Sequence, residues 1–130
     1  MTARMTTMER IAADYAPDLA MRGAAAVPEW TREGEEPFTV YWNKAWTLGE
    51  RSRLFERFGK ELAAGTLSPA MFVETLIIKA LDADGKRMFP AESMRRTLME
   101  EARPNTIQRI ALAMVGDLNE TPSGEAAEGN

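Results

Sequence analysis

The segment Ser68–Phe89 is the most apolar part of this chain, and it limits how the remainder can fold. The Ser68 hydroxyl can accept hydrogen bonds from first-turn amides, and Pro69 has the fixed φ that suits the first helical position. Gly85 offers a left-handed stop. The sequence therefore predicts a helix from about Pro69 to Leu81. At about 100° per residue, its apolar side chains cover about half of the circumference, more than one core-facing stripe requires. They are Pro69, Ala70, Phe72, Val73, Leu76, Ile77, Ala80 and Leu81. We expect a central helix with neighbours on more than one side.

Two apolar residues of this helix, Met71 and Ile78, fall on the opposite side, beside Glu74, Lys79 and Asp82. The charged neighbours indicate a solvated face. Either another segment of the chain covers the pair, or another molecule does, and single apolar residues on a surface need no special explanation. Met71 and Ile78 are the first candidates for partner binding.

Composition excludes much of the enzyme repertoire. The 130 residues fit one domain, and they include neither cysteine nor histidine, so thiolate chemistry, zinc–thiolate sites and histidine bases are excluded. The acidic turn Asp82–Lys86 fails the calcium-loop spacing, because Gly85 in the sixth position places Ala80 in the first. With no recognisable nucleophile, phosphate loop or metal motif, the sequence predicts no catalytic, cofactor or metal residues and a protein that is not an enzyme.

Charge and hydropathy also limit the partners. The net charge is −4 and the isoelectric point about 5.0, which argues against nucleic acid and anionic membranes as partners. The first apolar run, Ile11–Tyr15, is interrupted by Asp14, so neither a signal peptide nor a membrane-spanning helix is expected. These features predict a cytoplasmic protein.

A small β-hairpin is predicted near residues 24–46. Alternation in the segment Phe38–Asn43 directs Phe38, Val40 and Trp42 to one face, while Pro28 makes the first strand an edge. Two strands alone are marginal in water, so the hairpin must pack on the helices or pair with a neighbour's strand.

Tryptophans concentrate around this hairpin, at Trp30, Trp42 and Trp46. Aromatic side chains are enriched both in cores and in interface hot spots. The core is the favoured position for Trp42 and Trp46, but an interface is the alternative. With Tyr41, these two residues complete the set of candidate partner-binding residues.

Four further helices are predicted around the central one. Capping boxes at Thr6–Glu9 and Thr47–Glu50 begin two of them, the first of which ends near Tyr15 before Pro17, with Met8, Ile11, Ala12 and Tyr15 facing inward. Pro90 opens another helix, and Asn105 caps the last. The expected fold is mainly α with a small β-hairpin, a compact bundle of four to five helices in one domain over residues 1–116. The polar, acidic residues 117–130 are expected to be a disordered tail.

The order of several short motifs resembles the tail assembly chaperones of long-tailed bacteriophages, prophages and gene-transfer particles. The motifs lie between Glu9 and Val115 and read ERIAADYAP, VPEW, PFTVYW, WTLGERSRLFE, ETLIIKALDADGKRMF and PNTIQRIALAM. The most specific of them is the apolar helix that runs into the acidic turn at Asp82–Lys86.

This resemblance implies a small helical protein of the host cytoplasm that coats the tape measure protein, keeps it soluble while tail tube subunits polymerise, and is absent from the finished particle. It also implies a longer frameshifted product that recruits the tail tube protein, with the junction after Gly116. Self-association on the tape measure protein is expected. The family implies no cofactor and no catalytic residues. The alternative is a structural component, such as a head-to-tail connector or tail terminator.

Overall fold

The computed structural model describes residues 5–116 and residue 118. Its elements are α1 (Thr7–Leu19), β1 (Arg22–Ala26), a 3₁₀ turn (Pro28–Trp30), β2 (Thr39–Asn43), α2 (Leu48–Ala64), α3 (Pro69–Lys79), α4 (Glu92–Glu100) and α5 (Pro104–Val115). The prediction of a mainly helical fold with a small hairpin is confirmed. The predicted disordered tail, residues 117–130, lies outside the described residues except at Leu118, which is buried.

Helix starts follow the local sequence signals. Both predicted capping boxes form, with Thr6 and Thr47 each exchanging hydrogen bonds with the glutamate three residues later. Ser68 accepts a hydrogen bond from the amide of Met71, and Pro69 is the first residue of α3. These side chains satisfy amides that have no partner inside the helix.

Several predicted helix boundaries are wrong. Helix α1 continues through Pro17 to Leu19, because a proline in the last turn removes only one intrahelical hydrogen bond. Helix α3 ends at Lys79, since Ala80 is extended and Leu81 forms a β-bridge with Tyr41.

The last two helices also begin elsewhere than predicted. Helix α4 begins at Glu92, two residues after Pro90. Helix α5 begins with Pro104, so Asn105 lies inside the helix and the capping box predicted there does not form; the N-cap residue is Arg103, which makes no side-chain cap.

The two strands are antiparallel, with register from Arg22 opposite Asn43 to Ala26 opposite Thr39. On its other side, β2 exchanges two backbone hydrogen bonds with Leu81. The Tyr41 amide donates to the Leu81 carbonyl at 3.0 Å, and the Leu81 amide donates to the Tyr41 carbonyl at 2.7 Å. Strand β2 therefore lies between β1 and the chain that follows α3, which fixes the hairpin against the helical core.

From Met71 onward helix α3 is buried on all sides, whereas the sequence predicted neighbours on more than one side and a solvated face opposite them. One side joins β2, α4 and α5 in the main core: Val27, Val40, Trp42, Phe72, Val73, Leu76, Ile77, Ala80, Leu98, Ile107, Ile110, Ala111 and Met114. The other side joins α2 in a second cluster: Trp46, Leu54, Phe58, Met71, Ile78 and Leu118. Every residue from Met71 to Ala80 is buried.

The assignment of Met71 and Ile78 to the surface is wrong. Their exposed fractions are 0% and 5%, because Leu54 and Phe58 of α2 pack over this side of α3. The charged neighbours do not indicate solvent contact here, because Glu74 and Lys79 are themselves buried and Asp82 is half-buried.

Each buried polar side chain of α3 has a partner. Glu74 accepts hydrogen bonds from Arg57, at 3.2 Å, and from Arg95. The ammonium of Lys79 donates to the carbonyl of Ala45, at 2.9 Å, and to the carboxylate of Glu50, at 3.0 Å. Thr75 donates to a carbonyl one turn earlier in α3. These bonds offset the large cost of removing charge from water.

An ion pair joins the 3₁₀ turn to α5. Glu29 accepts hydrogen bonds from Arg109, at 2.7 and 2.9 Å, and from the Thr106 hydroxyl, at 2.9 Å. Hydrogen bonds lower the pKa of Glu29 from 4.5 to about 2, and those from Arg109 have the largest effect, ahead of one from a backbone amide. Ionised Glu29 therefore stabilises the fold above pH 4.5, and this contribution is lost as the pH falls toward about 2.

We predict that Ile78→Ala lowers the free energy of unfolding by about 2–5 kcal/mol, because it opens a cavity between α2 and α3. The matched control is Ile11→Ala on α1, where the side chain is 58% exposed; the expected loss there is about 0.5 kcal/mol or less. Urea denaturation followed by circular dichroism measures both. Equally small losses of unfolding free energy in the two variants would contradict the burial of Ile78.

We predict that Glu29→Gln removes part of the acid dependence of stability. The difference in unfolding free energy between wild type and variant should be largest above pH 4.5 and shrink toward pH 2, since acid protonates the wild-type carboxylate. Denaturation at a series of pH values measures it. Glu35→Gln is the control, because that carboxylate has no ion pair with another described residue. A difference that does not change with pH contradicts the prediction.

Candidate partner-binding surfaces

The structure does not bring the five predicted partner-binding residues together on one surface. Met71 and Ile78 lie in the second core cluster, as does Trp46, and Trp42 lies in the main core. Tyr41 alone among the five is half-buried. An interface composed of these five residues is therefore excluded in this conformation.

The two tryptophans have structural roles. The indole nitrogen of Trp46 donates to the Met114 carbonyl at 3.1 Å, and the Lys79 ammonium lies 4.9 Å from its ring centroid. The ring of Trp42 lies against Gly23, where a Cβ atom would come within 2.4 Å of it. Trp42 therefore packs the hairpin against the main core, and Trp46 packs the segment before α2 against the second cluster. This burial agrees with the favoured interpretation of the sequence.

Helix α1 carries exposed apolar side chains that sequence reasoning missed. None of its 13 residues is buried, and Met8 and Ile11 are 71% and 58% exposed. The prediction that Met8 and Ile11 face inward is therefore wrong. The sequence contains only an indirect sign of this exposure. The other helices already supply enough apolar side chains to surround α3, so α1 is not needed in the core.

One specific contact attaches α1 to the body of the protein. The Tyr15 hydroxyl donates to the Trp46 carbonyl at 2.9 Å. Partial burial raises the pKa of Tyr15, as do the negative charges of Asp18 and Glu50. This contact holds the C-terminal half of α1 beside the first turn of α2 and leaves the N-terminal half uncovered.

The first turn of α2 carries a further exposed apolar side chain. Leu48 is its first helical residue, lies two positions after Trp46, and is 83% exposed. We name Met8, Ile11, Tyr15 and Leu48 the α1 surface. The three aliphatic side chains make few contacts with the described chain, so a partner could cover them without disrupting the core.

A second candidate is a shallow apolar groove between α3, α4 and α5. It encloses about 200 Å³, less than the ~300 Å³ typical of the smallest sites for small molecules. Its walls are Pro69, Phe72, Val73, Leu98, Met99, Ala102, Pro104, Ile107 and Gln108. This lining has no ionisable group, so the groove suits one apolar side chain of a partner and has no means of acid–base chemistry.

The charged surface near α2 is a structural cluster. Arg53, Glu56, Arg57 and Arg95 surround the buried carboxylate of Glu74, so positive and negative groups largely balance. Within the described residues, no group of three or more acidic, histidine or cysteine side chains is placed to hold a metal ion. No described helix is both long and apolar enough to cross a membrane.

Comparison of the chain with protein families, curated proteins and solved structures finds no match.

Proposed function

We propose that this protein is a non-catalytic assembly chaperone of phage tails that binds the tape measure protein through the α1 surface. The observation that carries the proposal is α1 itself, an amphipathic helix of 13 residues with no buried residue. A tape measure protein presents long apolar helices, which the α1 surface would cover while tail tube subunits assemble around them.

The energetics of a short helix favour this role. A helix of this length is marginal in water unless its apolar face packs against something. In the isolated chain, Met8, Ile11 and Leu48 remain in water, so their burial is available to stabilise a complex. Packing an amphipathic helix against another apolar helix is a common mode of recognition, read at spacings of three and four residues.

The order of motifs between Glu9 and Val115 supports the choice of partner, since it resembles that of tail assembly chaperones. The same resemblance supports action in the host cytoplasm, absence from the finished particle, and recruitment of the tail tube protein through a frameshifted longer product. The acidic balance of the chain, with net charge −4, suits a protein that must keep an apolar client in solution.

We predict that Ile11→Asp weakens binding to a co-expressed tape measure protein at least tenfold, about 1.4 kcal/mol, because it places a charge in the covered face. Affinity co-purification followed by titration measures the loss. Thermal unfolding should be nearly unchanged, since Ile11 lies outside the core.

The matched control is Met99→Asp, in the groove between α3, α4 and α5, where the side chain is also exposed. It should bind as the wild type does. Loss of binding by Met99→Asp alone would move the site to the groove. No binding of tape measure protein by the wild type would end the proposal, and stoichiometric amounts of this chain in purified particles would favour the connector or terminator alternative.

A further inference from the structure

Strand β1 has one edge paired with β2 and one edge that no other described segment covers. Hydrogen bonds link the Lys44 amide to the Met21 carbonyl, at 2.9 Å, and the Val27 amide to the Phe38 carbonyl, at 2.7 Å. Hydrogen-bonded pairs alternate along an antiparallel ladder, so the odd-numbered residues of β1 face β2. Tyr41, which is opposite Ala24, accordingly bonds with Leu81 on the far side of β2.

The outward edge of β1 consequently carries the amides and carbonyls of Arg22, Ala24 and Ala26. All three residues are exposed, and no other described residue hydrogen-bonds to these backbone groups. Folded proteins usually protect such edges with charged side chains, proline, a bulge or a covering segment. Here the strand reads RGAAA, and Arg22, at its start, is the one charged residue in it.

We propose that β1 pairs with β1 of a second copy of this chain, antiparallel, across a two-fold axis at Ala24. In this register Ala24 lies opposite Ala24 of the second copy, and Arg22 lies opposite Ala26. It is the antiparallel register that pairs all three outward-facing residues of both strands. The inference goes beyond the proposed function and does not depend on the identity of the client.

The side chains of β1 permit this pairing. Arg22 is placed opposite an alanine, so no like charges oppose each other directly. Ala24 and Ala26 are small and leave room on the outer face of the sheet, whereas the Trp42 ring of the same chain fills the inner face at Gly23. Tyr41 lies opposite Ala24 and so shares the outer face of the sheet with it. The second copy would extend this face, and Tyr41 is the half-buried member of the five predicted partner-binding residues.

A second copy is a better occupant than an unrelated peptide. An added peptide strand would satisfy β1 but leave its own outer edge open, whereas two identical β1 edges close each other in an isologous dimer. The joined sheet would contain β2, β1 and their symmetry mates in one continuous ladder. This arrangement relieves the weakness of an isolated two-stranded hairpin.

Single-cysteine cross-linking tests the register, because the chain has no natural cysteine. Ala24→Cys should form a disulfide-linked dimer on mild oxidation, since paired Cα atoms lie about 5.5 Å apart. Arg22→Cys and Ala26→Cys should each fail alone, because identical positions would be about 14 Å apart, beyond the ~7 Å limit. A mixture of these two variants should cross-link.

Absence of the Ala24→Cys dimer, absence of the mixed product, or equal cross-linking at all three positions overturns the proposal.

Sedimentation equilibrium tests the interaction without oxidation. Ala24→Pro removes an outward amide and leaves the β1–β2 ladder intact, so it should weaken dimerisation at least tenfold, with circular dichroism and thermal unfolding close to wild type. Ala24→Thr, which keeps the amide, should dimerise as wild type does. A wild type that stays monomeric over the whole concentration series, or an Ala24→Pro variant that associates equally well, overturns the proposal. If Ala24→Pro fails to fold, the cross-linking result decides.

Discussion

The structure depends on burying α3 completely, including its charged residues. A helix with apolar residues on all sides needs neighbours on all sides, and α2, α4, α5 and β2 supply them. Glu74 and Lys79 are enclosed as well, so each requires a partner of opposite charge or a carbonyl. Arg57 and Arg95 neutralise the first, and Glu50 the second. Lys79 also donates to the Ala45 carbonyl and so fixes the loop before α2. The next carbonyl in this loop, that of Trp46, accepts the hydrogen bond from Tyr15 of α1.

This central arrangement explains why the exposed apolar side chains of α1 and the open edge of β1 among the described residues lie near the N-terminus. Once α3 is enclosed, apolar side chains of α1 have no remaining core to enter, and no other described segment pairs with the outer edge of the strand that follows. The described chain thus combines a well-packed body with an adjoining helix and strand edge that are incompletely satisfied. The helix offers apolar area and the strand offers backbone hydrogen bonds, so the two suit different kinds of partner.

Local signals in the sequence predicted the fold class and most helix starts, because a cap such as Thr47 acts within its own turn. Burial was harder to predict. Periodicity showed that Ile78 lies among charged residues, but it could not show that Lys79 meets Glu50, 29 positions away. The same limit applies to α1: its pattern predicts an apolar face, while the absence of a covering element is a property of the whole fold. For Trp42 and Trp46, by contrast, burial was predicted correctly, because large aromatic side chains are common in cores and these two are buried.

The central claim is that α3 anchors a self-contained body while α1 stands outside it. Hydrogen–deuterium exchange measures this directly, because amides in a helix with few buried contacts exchange through local opening, whereas core amides require opening of the whole structure. In the isolated chain, α1 amides should exchange fast and α3 amides slowest, and bound tape measure protein should slow exchange in α1. Equal protection of α1 and α3 in the isolated chain would contradict the account.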